Sequence, residues 1–126
     1  MKRERLVAII CVLGGVLLTV IGVRYFLMPE QAARTFGVPT RPTGHELHNV
    51  IALRNVWLGL LAVGFALLRQ WIALALWFGL GAFVCFADAA IVAGSTGRLP
   101  NIAFHVTCGL ACIGLAAAAW RYARRG

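Results

Sequence analysis

The sequence predicts an all-α membrane protein: a bundle of four transmembrane helices with a short interfacial helix after the first span. Three observations predict it. The chain is 61% hydrophobic and 13% charged, with a mean hydropathy of +0.85, and a water-soluble chain of 126 residues would need far more polar surface to cover its core. Four apolar segments each approach the ~20 residues that cross the hydrocarbon layer at about 1.5 Å per residue. All 4 prolines and most of the charged residues lie outside those segments, where chain breaks are expected.

The first span is placed at residues 6–28, behind the basic start "MKRER". A basic start and an apolar run also describe a signal peptide. However, this run is long for one, no small-x-small cleavage site follows, and further spans come later. Next comes "PEQAARTFGVPTRPTGHE". Pro29 suits the first position of a helix and Gly37 a helix stop, so a short interfacial helix is expected, with Phe36 and Val38 dipping toward the headgroups. An external loop that merely links two spans is the competing reading.

The second span covers residues 47–68 and contains Arg54 and Asn55. Because Arg54 interrupts it, an interfacial second segment and a three-span protein stay open. A short turn at Arg69 and Gln70 leads to the third span, residues 71–92. "GSTGRLPN" then breaks the chain before the fourth span, residues 102–122. The whole of residues 1–126 reads as one integral membrane domain.

With an even number of spans both termini share one side, which holds Lys2, Arg3, Arg5, Arg69, Arg121, Arg124 and Arg125. The other side has Arg34, Arg41 and Arg98, with Arg24 and Arg54 embedded near it. The positive-inside rule then places both termini in the cytoplasm, in what is expected to be a bacterial inner membrane. The formal net charge of +8 does not point to nucleic acid. The basic residues sit at the ends and flanks of apolar segments, and no basic face interleaved with aromatics exists. The expected partner is the lipid bilayer with its anionic headgroups.

The polar residues inside the spans fall on one side. Arg54 lies roughly 10 Å below the interface where the second span starts, Asp88 roughly 6 Å and His105 roughly 5 Å deep at the same side. Arg24 and Tyr25 end the first span there. An ionisable residue at mid-helix costs about 2.5–3.5 kcal/mol on insertion scales, which pairing inside the bundle reduces. Asp88 is therefore expected to pair with Arg54, and Arg54, Asn55, Asp88 and His105 form the candidate site. An ion pair that only locks two helices together is the bland alternative. His105 alone is more often an interhelical hydrogen-bonder than a base.

His105, Cys108 and Cys112 share one face of the fourth span, and together they could in principle ligate a metal. One helical face serves a tetrahedral site poorly, and no second Cys or His motif converges on it, so neither a metal nor a cofactor is assigned. The four cysteines all lie in apolar segments, which argues against a secreted disulfide framework. No phosphate-binding glycine loop, nucleophile elbow or zinc-protease motif occurs.

"RYFLMPEQAARTFGVP", "LRNVWLG" and "DAAIVAG", followed by His105 in the next span, resemble an uncharacterised family of small four-helix membrane proteins. This domain of unknown function from bacteria and fungi is similar in layout to DoxX-like proteins. The resemblance covers nearly the whole chain and implies the four-span fold, with Arg54, Asp88 and His105 as its polar positions. The family's Arg is often followed by Asp; Asn55 stands there instead, which puts a second carboxylate's role in doubt. The resemblance brings no reaction, substrate or cofactor.

Three functional classes remain. The leading one is a protein that binds a small lipophilic ligand at the Arg/Asp/His cluster in the non-cytoplasmic leaflet, with or without acid–base chemistry by Asp88 and His105. The second is a non-catalytic accessory or structural subunit of a membrane complex. The third is a small dimeric transporter, against which stands the lack of an acid within the first span. Homo-oligomerisation stays open.

Overall fold

In the computed structural model, residues 2–38 and 46–125 are described. Five helices follow one another: α1 Lys2–Leu27, α2 Pro29–Phe36, α3 Glu46–Leu67, α4 Trp71–Ser95 and α5 Leu99–Ala123. Four of them, α1, α3, α4 and α5, are long and apolar enough to cross a membrane. Helix α3 is continuous through Arg54 and Asn55, so the three-span alternative loses its basis. Large apolar side chains such as Leu13, Leu60, Leu80, Phe83 and Leu110 are exposed all round the bundle, as lipid contact requires and water would not allow.

Local chemistry sets the boundaries. Met28 leaves helical geometry before Pro29, which opens α2, and Gly37 closes α2 with φ 107°, a left-handed conformation that glycine adopts without steric cost. Arg69, with φ 54°, makes the tight turn between α3 and α4. Helix α4 runs on to Ser95 and α5 already starts at Leu99, so the break is shorter than "GSTGRLPN" suggested. Pro100 is accommodated in the first turn of α5, where no intrahelical N–H bond is lost.

Helix α1 packs chiefly on α3, and α4 chiefly on α5. The α1–α3 contact is made by small residues. A Cβ on Gly22 would lie 2.7 Å from the Ala52 carbonyl oxygen, and one on Gly59 would lie 2.5 Å from that of Gly15. Close backbone approach of this kind is how helices gain dispersion contact where no hydrophobic drive exists between them. In the other pair, the Phe86 ring fills the space over Gly109, 2.9 Å from where a Cβ would stand.

The two pairs are joined at both ends. At the end carrying the α3–α4 turn, Cys11, Ala66, Leu74, Ala75, Phe78 and Ala119 form one buried cluster drawn from all four long helices. At the opposite end α2 lies across the bundle. Its Ala32 packs with Tyr25 of α1 and Ala52 of α3, and its C-terminus sits on α4 and α5.

Candidate functional site

The α2 end of the bundle is built around the C-terminus of α2. The last carbonyls of a helix have no partner within it, and three of those here are taken by side chains from the α4–α5 hairpin. Asn101 Nδ2 donates to the Thr35 carbonyl at 2.5 Å, Thr96 Oγ1 to that of Gly37 at 2.6 Å, and His105 Nε2 to that of Phe36 at 3.1 Å. On the α1 side, Arg24 Nη2 donates to Thr35 Oγ1 at 3.1 Å, while the Thr35 hydroxyl donates to the Gln31 carbonyl at 2.8 Å. Gly37 permits the contact, since a Cβ there would be 2.9 Å from Val92 and Asn101.

His105 is buried, with 6% of its surface exposed. A carbonyl can only accept, so the ring must carry its proton on Nε2, which leaves Nδ1 as the acceptor of the neutral imidazole. Its ring also packs on Phe36, with centroids 4.5 Å apart. Phe36 is thus half-buried against the bundle rather than dipping toward the headgroups, because the imidazole offers it an apolar face. Residues 39–45, the rest of the connection read as a loop, lie outside the described residues.

Asp88 lies one turn before the fully buried Val92 on α4 and is itself half-buried. Its charge interacts with His105 of α5 and with Tyr25 of α1. Tyr25 is buried, and its ring faces that of His48 on α3 at 6.1 Å. Tyr25, Asp88 and His105 thus stand on α1, α4 and α5 at the α2 end of the bundle.

The expected Arg54–Asp88 ion pair is not formed. Arg54 is exposed on α3, and among the described residues the ion pair present is Arg69–Glu4, 2.9 Å, at the other end of the bundle. The reason is rotational. Ala52 and Gly59 turn one face of α3 into α1, and Arg54 stands roughly 200° around the helix from Ala52 at about 100° per residue. Asn55 is half-buried beside it. The structure therefore places Asp88, His105 and Tyr25 at one end of the bundle, with no hydrogen bond among them, and leaves Arg54 apart.

Sequence reasoning missed Asn101 and Thr96 as partners of α2. Both lie in the polar stretch read only as a chain break, although side-chain donors opposite a glycine-stopped helix are a usable signal. All four cysteines are free thiols, and no group of three or more potential ligands able to hold a metal occurs among the described residues.

These features define a class: a small four-helix membrane protein with a short helix held across one end by side chains of the α4–α5 hairpin. Residues 15–121 match the family described as Domain of unknown function (DUF4267), and the chain belongs to that family. Neither the search of curated proteins nor that of solved structures returned a match.

Proposed function

We propose that this protein binds a small lipophilic molecule with a polar head, and that Asp88 receives the head beneath α2. One observation carries this reading. Asp88 is half-buried on a membrane-spanning helix and has neither a hydrogen bond nor an ion pair with any described residue, although Tyr25 and His105 interact with its charge. An unpartnered carboxyl in low dielectric is costly, and ionisable groups inside spans commonly mark substrate or ion sites. A ligand hydroxyl, amide or amine would supply the missing donor, while its apolar tail would lie along the helices. Any acid–base step would use Asp88 and the Nδ1 of His105, because Nε2 is committed to Phe36. Arg54 and Asn55, grouped with Asp88 on sequence grounds, stand on α3 and take no part in this site.

The test is ligand-dependent thermal stabilisation of the purified protein in detergent, screened with lipophilic alcohols, amines and quinones. A ligand at a hundred times its Kd should add about 2.7 kcal/mol to the stability of the wild type. Asp88→Ala should lose that gain and Cys112→Ala should keep it. If no compound stabilises the wild type, the reading fails. The accessory-subunit reading then stands, favoured by the use of Asn101, Thr96 and His105 to seat α2.

A further inference from the structure

We propose that Arg54 holds the phosphate of a membrane phospholipid on the lipid-facing side of α3. This site is separate from Asp88 and does not depend on the ligand reading above. Arg54 stands about two turns into α3, roughly 12 Å along the helix from Glu46 at about 1.5 Å per residue. Its neighbours one turn away on the same face, Val50 and Trp57, are exposed, so this face meets lipid rather than protein. The guanidinium has no hydrogen bond, ion pair or ring contact with any described residue. Left bare among acyl chains it would cost about 2.5–3.5 kcal/mol near the helix centre on insertion scales, and no described side chain supplies its counter-charge.

Two kinds of anion could supply that charge: a lipid phosphate or a carboxylate of a second copy. The chain favours the phosphate. It carries 4 acidic residues against 12 basic ones, a net charge of +8, so two copies repel on balance, and one of the acids, Glu4, is already paired with Arg69 at the far end of the bundle. Phosphates, by contrast, line the leaflet into which an arginine stem snorkels. The planar fork of the guanidinium matches two phosphate oxygens, which an ammonium does not. Trp57, 52% exposed, adds an amphipathic ring of the kind that settles near headgroups.

The experiment is native mass spectrometry of the full chain in detergent, titrated with phosphatidylglycerol. Arg121, Arg124 and Arg125 are changed to Gln in the background to reduce headgroup contacts at the other end. The chain should retain a phosphatidylglycerol adduct that Arg54→Gln weakens about tenfold, as loss of a charge-assisted hydrogen bond implies. Arg54→Lys should weaken it less, and Asp88→Asn should leave it unchanged. Diacylglycerol, which lacks the phosphate, and glycerol phosphate, which lacks the tails, should not form it. Melting curves accompany each variant, and Arg54→Lys against wild type carries the test if Arg54→Gln does not fold. Equal adducts in wild type and the folded Arg54 variants would overturn the proposal. So would a change of oligomeric mass on substitution, which would assign the counter-charge to a second copy.

Discussion

His105 shows how a residue flagged by its chemistry acquires a role from one contact. Its imidazole was legible in the sequence as a polar group out of place in an apolar span, and so was Asp88. What could not be read was the partner, because the acceptor is a backbone carbonyl at Phe36, and every residue carries one. The bond makes His105 a strut for α2 whatever else it does. His105→Leu should therefore destabilise the protein by about 1–3 kcal/mol, since it strands a carbonyl in a poorly hydrated site. His105→Gln retains a donor and should cost less. Melting of the two variants side by side in detergent checks this, and equal losses would mean that packing on Phe36, not the hydrogen bond, holds the helix.

At the scale of the helices, the number and order of spans followed directly from hydropathy, since the length of an apolar run and the thickness of a bilayer fix each other. Helix rotation did not follow, and with it went the Arg54–Asp88 pair. Rotation is set by where backbones can approach. Gly15, Gly22, Ala52 and Gly59 mark that seam, and these residues were visible in the sequence as small residues at seven-residue spacing. Depth alone placed Arg54 and Asp88 in one leaflet, but facing required this seam. The seam makes a sharp prediction. Gly59→Ala puts a methyl group 2.5 Å from the Gly15 carbonyl oxygen and should destabilise by about 1–3 kcal/mol as an overpacked contact. Gly64→Ala, five residues on in the same helix, meets nothing within 4 Å. It should be neutral or stabilising by up to about 1 kcal/mol through helix propensity. Similar losses at both positions would remove the seam as the cause.

Across the whole molecule the two ends differ in kind, and the difference bears on how the protein sits in its membrane. The end with both termini and the α3–α4 turn carries the dense basic set, and its aromatics hold those cations in place. Arg124 lies 5.2 Å from the Trp120 ring centroid, Arg125 lies 5.9 Å from that of Tyr122, and Trp71 packs on Tyr122 at 5.2 Å. The Arg69–Glu4 pair is exposed and adds little to stability, so this end is marked by unneutralised charge rather than by ion pairing. The α2 end spends its polar groups inward, on backbone carbonyls and around Asp88. Translocating the turn end would mean moving arginines and a lysine across the hydrocarbon, which the positive-inside bias opposes. The turn end is therefore expected in the cytoplasm and α2 on the opposite side. With the native cysteines replaced, a single cysteine at Ser95 should react with a membrane-impermeant maleimide on intact cells. One at Gln70 should react only after the cells are opened. Both positions are exposed, so access to the reagent decides the outcome and burial does not. The reverse labelling pattern would invert the protein and place the Asp88 site in the cytoplasmic leaflet, where its ligand would have to arrive from inside the cell.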